Sequence, residues 1–168
     1  MEHTGPAFVL DTFPISEFDS EIIFFSRDLG KINARVTSMR KSASKLAPHL
    51  QIGNKATVRL VHKNTTRVAD ALQLAHKTQS QSKHMNVISL LSALLANEQI
   101  DPLVWEDLNS EKVSITKILS YLGFNQKHAN CQGCKTKAVD YFSSIDLTYY
   151  CAHCTLNHKN AQGLYQLF

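Results

Sequence analysis

The sequence predicts a two-part α+β fold, a small closed β-barrel followed by a helical region with paired cysteines. Three observations predict it. Five short apolar runs fall within the first 75 residues, the hydrophobic period turns helical after residue 84, and four cysteines form two Cys-x-x-Cys pairs between 131 and 154.

The barrel strands follow in order. Ala7–Phe13 and Glu21–Ser26 are rich in Phe, Ile, Val and Leu, with Phe13-Pro14-Ile15-Ser16-Glu17 as the turn between them. Gly30 leads into a third strand, Lys31–Thr37, where Ile32, Ala34 and Val36 alternate with Lys31, Asn33 and Arg35. That alternation gives one buried and one cationic face. Met39–Leu50 lacks alternation and holds Pro48, so it reads as a long loop with at most one helical turn. Lys55–His62 and Arg67–Leu74 are the fourth and fifth strands, joined by the polar Lys63-Asn64-Thr65-Thr66. Five strands with one long link between the third and fourth fit an OB-type barrel, and an SH3-like barrel fits the count nearly as well.

The polar stretch from His76 to His84 reads as the link between domains, which sets the expected domains at 1–78 and 79–168. Beyond it, Val87, Ile88, Leu91, Leu94 and Leu95 recur at helical spacing, as do Ile115, Ile118, Leu119 and Leu122. Gly123 stands where a helix C-cap belongs, and Pro102 opens a shorter helix through Leu103, Val104 and Trp105.

Composition excludes several classes. The chain is 43% apolar and 19% charged, with four prolines and six glycines, an ordinary globular balance. No run approaches the roughly 18 apolar residues of a membrane span. Residues 1–10 carry acidic Glu2 and no cationic stretch, unlike a secretory signal. With cysteines spaced for a metal rather than scattered to staple loops, the chain reads as cytoplasmic.

Charge is unevenly placed. Residues 1–26 carry five acids and no Lys or Arg, whereas residues 27–67 carry ten bases against the single acid Asp28. Residues 68–168 balance eight lysines with eight acids. A one-signed barrel segment draws a polyanion, and cations at phosphate spacing along a groove suit nucleic acid. Base stacking would also need exposed rings. Phe8, Phe13, Phe24 and Phe25, on strands, read as barrel core, and Phe18 is the best candidate for exposure.

Cys131, Cys134, Cys151 and Cys154 leave sixteen residues between the pairs, within the range of zinc ribbons. Two residues between thiolates let both reach one ion from a tight turn, and two such turns complete a tetrahedron around Zn²⁺. Four cysteines leave no open position for catalysis, so the metal is expected to be structural. His153 and His158 are the alternative ligands, read more simply as neighbours of the site.

Ala7-Phe8-Val9-Leu10, Pro14-Ile15-Ser16-Glu17-Phe18-Asp19 and Phe25-Ser26-Arg27-Asp28-Leu29-Gly30-Lys31 resemble the start of the bacterial RecO family of recombination mediators. Arg40-Lys41-Ser42-Ala43-Ser44-Lys45-Leu46-Ala47-Pro48 is similar to that family's basic loop, and Tyr121-Leu122-Gly123-Phe124 to the Leu-Gly step ahead of its cysteine pairs. The resemblance covers most of residues 5–75 and 119–154. It implies an OB-fold and a helical domain with zinc, in a non-enzymatic protein that binds single- and double-stranded DNA and anneals complementary strands. It also implies RecR, the single-stranded DNA-binding protein and RecA as partners, with no membrane. By position it marks Lys31, Arg35, Arg40, Lys41, Lys45, Arg59 and Arg67 as DNA-contacting and the four cysteines as ligands. The chain departs from the family's pattern at Ser38 and Lys135, where glycine is common, and its C-terminal domain is short for the family.

Other readings are an RNA-binding or translation-associated protein on the same basic face, an adaptor for an acidic protein, and a nuclease. The basic segment holds only Asp28 as an acid, and no phosphate loop, His-Glu-x-x-His or Gly-x-Ser-x-Gly motif occurs.

Overall fold

The computed structural model describes residues 1–75, 80–156 and 162–167. The first five strands are β1 (Glu2–Pro14), β2 (Ser20–Ser26), β3 (Gly30–Val36), β4 (Lys55–His62) and β5 (Thr66–Gln73). They close in the order β1-β2-β3-β5-β4, and β3 meets β5 in parallel at Arg35 and Arg67. A parallel closure between the third and fifth strands selects the OB-like arrangement over a plain meander.

β1 is longer than the expected Ala7–Phe13. Its first residues, Glu2 to Pro6, pair only with β4, and pairing with β2 begins at Ala7. Gly5 and Pro6 sit where one side of the strand is unbonded, the place a sheet tolerates them. A register shift between Val9 and Asp11 bends the strand so that it serves both neighbours.

Ala7-Phe8-Val9-Leu10 is buried throughout because β1 is covered on both faces. Ala7 and Val9 enter the barrel interior with Ile22, Phe24, Val36 and Val58. Phe8, Leu10 and Phe25 face outward into a second core with the helices. Three of the strand phenylalanines therefore depart from the barrel-core expectation. Phe8 and Phe25 are buried outside the barrel, and Phe13 is 45% exposed.

The helices are α1 (Gln81–Leu94), α2 (Pro102–Asn109) and α3 (Ile115–Tyr121). Ser80, Asp101 and Ser114 cap their N-termini through side-chain oxygens. α3 ends as expected at Gly123 (φ 92°), whose N–H donates to Ser120 O while Phe124 N–H donates to Leu119 O. That pair of bonds is a Schellman cap. The expected link is shorter than 76–84. Residues 76–79 lie outside the described residues, and with them the 78/79 boundary, while α1 is already helical at Gln81. His84 is buried, its Nε2 3.0 Å from Gly53 O and its ring against Phe8.

The helices join the barrel through α1 and α2. Trp105 packs edge-on to Phe8 and Phe25, with ring centroids 5.3 and 5.9 Å away. The start of β3 meets the segment after α1. Glu98 N–H donates to Lys31 O at 2.7 Å, and a Cβ at Gly30 (φ 68°) would lie 2.3 Å from Gln99 O. Glycine is required there on both counts.

A second, smaller sheet shares a core with the helices. β6 (Tyr141–Ser143), β7 (Thr148–Tyr150) and β8 (Leu164–Gln166) form a small sheet in the order β7-β6-β8, and α4 (Ala152–Thr155) follows β7. None of the described helices is long and apolar enough to cross a membrane.

Candidate nucleic-acid interface and metal centre

The cysteine pairs flank the β6–β7 hairpin. The four sulfurs lie within 4.8 Å of one another, and Cys134 Sγ is 3.7 Å from Cys151 Sγ. A tetrahedron with Zn–S bonds of about 2.3 Å places its sulfurs about 3.8 Å apart, so the donor set fits zinc. Two backbone turns present the pairs, with Lys135 N–H on Cys131 O (2.9 Å) and Thr155 N–H on Cys151 O (3.2 Å). Burial raises the Cys131 thiol, but the N–H groups of Cys134, Cys151 and Gly133 outweigh it and lower it on balance. The Cys154 thiol is raised, chiefly by the neighbouring sulfurs of Cys131 and Cys151. Four sulfurs this close ionise together only around a cation.

Gly133, which the sequence reading did not single out, makes this closeness possible. A Cβ there would lie 2.7 Å from Cys154 Sγ. At Lys135 the backbone is left-handed (φ 63°), so the chain keeps the turn that glycine commonly supplies at that position. The four cysteines form a structural zinc site. His158 lies outside the described residues.

The seven basic candidates divide by what surrounds them. Lys31 is turned into the molecule. Its Nζ donates to Ser92 O (2.6 Å) and Leu95 O (2.9 Å), the open carbonyls at the end of α1. Burial lowers its pKa, and nearby Asp11 opposes that. Its ammonium is engaged in holding barrel to helix. Lys55 acts likewise, donating to Asn109 Oδ1 (2.5 Å) and lying over the Phe8 and Trp105 rings. Arg59 lies on β4 beside Glu2, 3.2 Å away, on a strand that pairs with β1 and β5.

Arg35, Arg40, Lys41 and Arg67 come together around the β1–β2 loop and the β3–β5 seam. Arg35 and Arg67 are partners across that seam, both facing outward. Like charges placed opposite one another destabilise a sheet unless an anion relieves them. Asp19 does so for Arg35 in part, accepting from Nη2 (2.5 Å) and Nε (3.2 Å). Asp19 also accepts from Ser38 N–H (2.8 Å), and these bonds, Arg35 foremost, lower its pKa. Ser38 is left-handed (φ 55°), a second position where glycine is common in the resembled family and the backbone geometry is kept by another residue.

The β1–β2 loop is thereby tied to the loop after β3. Arg40 N–H donates to Phe18 O (2.9 Å), and Arg40 Nη1 to Ser16 O (3.1 Å). Lys41 Nζ stands 5.1 Å from the Phe18 ring centroid, and Lys45 is exposed further along. Among the described residues, Arg40, Lys41, Lys45 and Arg67 have no carboxylate at ion-pair distance. The β4–β5 hairpin adds Lys63 beside Arg67, lining one groove with Asn64 and Thr65. Lys63 and Asp19 were not among the candidates. Asp19 is legible only as the second of two acids, after Glu17, in the turn that follows β1.

Residues 1–77 match the family described as Recombination protein O N terminal. The match spans β1 to β5 and stops before α1. No match is found among curated proteins.

Proposed function

We propose that this chain is a non-enzymatic, RecO-type DNA-binding protein that anneals complementary strands and assists recombinase loading on single-stranded DNA. The observation that supports it is the group Arg35, Arg40, Lys41 and Arg67 on an OB-like barrel, with three of these cations free of carboxylates among the described residues. OB barrels bind strands across the second and third strands and the loops after the first and fourth. Arg35 is on β3, Arg67 follows the β4–β5 loop, and Arg40 and Lys41, in the loop after β3, border the β1–β2 loop at Ser16 and Phe18. The match of residues 1–77 supports the recombination setting. RecR, the single-stranded DNA-binding protein and RecA are the proposed partners, and a bacterial cytoplasm is the proposed location. Lys31 holds α1 and is no part of the surface proposed here. Arg59 and Lys45 flank it.

Labelled single- and double-stranded DNA and RNA titrated across a salt series test this reading. Neutralising four to six phosphates gives a slope of log K on log salt of about −3 to −5. Arg40→Glu with Arg67→Glu is expected to reduce affinity at every sequence and flatten the slope by about two. Unchanged affinity in that double variant sinks the surface assignment. Tighter binding of RNA than DNA, with no ATP-free annealing of complementary DNA, favours the RNA-binding alternative.

A further inference from the structure

We propose that Phe18, with the Lys41 ammonium over its ring, is a stacking platform for an unpaired nucleic-acid base. The inference rests on the nucleic-acid reading above and adds to it the form of strand the surface selects.

The first support is exposure that folding does not explain. Phe8, Phe24 and Phe25 are fully buried, whereas Phe18 is 41% exposed, with Phe13 at the end of β1 and Ile15 on the loop also open to solvent. Each of these side chains could lower the free energy of folding by burial, and the loop holds Phe18 out instead.

The second support is rigidity. The backbone carbonyl of Phe18 is held by Arg40 N–H, and Ser16 Oγ accepts from Asp19 N–H at 3.1 Å. Ile15 N–H closes the turn on Asp19 O at 3.1 Å, and the Asp19 side chain is fixed by Arg35 and Ser38. A ring exposed on a backbone pinned from both sides is preorganised, so a ligand loses little entropy in using it.

The third support is the charge around the ring. Lys41 Nζ lies 5.1 Å from the centroid, and Arg40 follows Phe18 through its backbone bond. A nucleotide offers a flat π-face and a phosphate a few ångströms apart, which matches a ring flanked by cations. Duplex DNA presents only base edges in its grooves, its faces being stacked on one another. The ring therefore adds nothing to duplex binding, which uses the cations alone.

The test compares a thymidine oligonucleotide with a duplex of the same length, using the full zinc-loaded chain. Phe18→Ala is expected to weaken single-strand binding about 5- to 100-fold, leave duplex binding within about twofold, and leave the salt slope unchanged. Lys41→Ala is expected to weaken both and flatten the slope by about one. Phe18→Trp should retain affinity and show quenched indole fluorescence on adding the oligonucleotide, since the chain's only native tryptophan, Trp105, is buried. Equal losses for both forms, no loss for the single strand, or an unquenched indole at saturation each overturn the platform. If Phe18→Ala changes nothing while Arg40→Glu with Arg67→Glu still weakens binding, the platform alone fails. If the wild-type chain binds neither form at low salt, the nucleic-acid reading fails with it, and an acidic protein becomes the better partner for the surface.

Discussion

Lys31 shows how a residue with the right charge at the right position serves a different end. On β3 it alternates with Ile32 as a solvent-facing cation should, and Arg35, four residues on, does face solvent. What the strand pattern could not show is that the C-terminus of α1 lies against the start of β3, so that its carbonyls meet the ammonium at Ser92 and Leu95. A cation there satisfies orphan acceptors and opposes the negative end of the helix. Lys31→Met keeps the aliphatic stem and removes both bonds. It is expected to lower stability by about 1.5–3 kcal/mol in urea unfolding, the range for hydrogen bonds to a charged group. The same variant should leave the salt slope of oligonucleotide binding where it was. A flatter slope with unaltered stability would return Lys31 to the binding surface. The cysteines were fully legible because their spacing alone specifies tetrahedral chemistry. Gly133 was not, because its role is the 2.7 Å between an absent Cβ and Cys154 Sγ, a distance across two turns far apart in sequence.

At the scale of elements, long periodic segments were legible and shared or short ones were not. β4 was expected at Lys55–His62 and lies there, since each buried residue alternates with an outward one. The buried run in β1 hid two different faces, because only the helices' placement decides that Phe8 leaves the barrel while Val9 enters it. The strands β6 to β8 are three residues each, too short for a period, and their only signal was the aromatic pairs Tyr141-Phe142 and Tyr149-Tyr150 beside the cysteines. The sequence marks the β1–β2 loop as a turn through Pro14, but not its dependence on Asp19, which rests on contacts with Arg35 and Ser38 across the fold. That dependence has a consequence in pH. The carboxyl of Asp19 titrates below its ordinary value of 3.8 because Arg35 and Ser38 favour the charged form. Between the lowered value and 3.8 the unfolded chain binds the proton and the folded one does not. The stabilisation is therefore complete above 3.8 and is lost as pH falls through the lowered value. Asp19→Asn should melt lower than wild type near neutrality, and the gap in Tm should close under strongly acid conditions. It should also weaken single-strand binding more than duplex binding, because the loop that presents Phe18 loosens. A gap in Tm that persists in acid would show that Asp19 acts through packing rather than charge.

For the whole molecule, the governing feature is two cores of different dependence. The inner core lies within a barrel closed by its own ladder from β1 round to β4. The outer core joins Phe8 and Phe25 of the barrel to α1, α2 and α3, and includes Cys131 and Cys151 with Phe142, Tyr149 and Tyr165. Metal and outer core are thus one structure, whereas the binding surface belongs to the barrel. Apparent binding energies of structural zinc in finger peptides, about 10–16 kcal/mol, are comparable to the whole stability of a typical domain, about 5–15 kcal/mol. Three strands of three residues have no comparable source of order. Chelation near neutral pH is therefore expected to release the segment from 131 to 155 to rapid amide exchange. It should also shift Trp105 emission to the red as the outer core opens. Amides of β3 and β4 should stay protected, and the salt slope for DNA should hold, since Arg35, Arg40, Lys41 and Arg67 are anchored in the barrel. Gly133→Ala should reproduce the release at chelator concentrations about 10- to 100-fold lower, the range seen when a metal site loses its supporting geometry. Loss of β4 protection together with DNA binding on chelation would show instead that the barrel stands only with the zinc-bound half beside it.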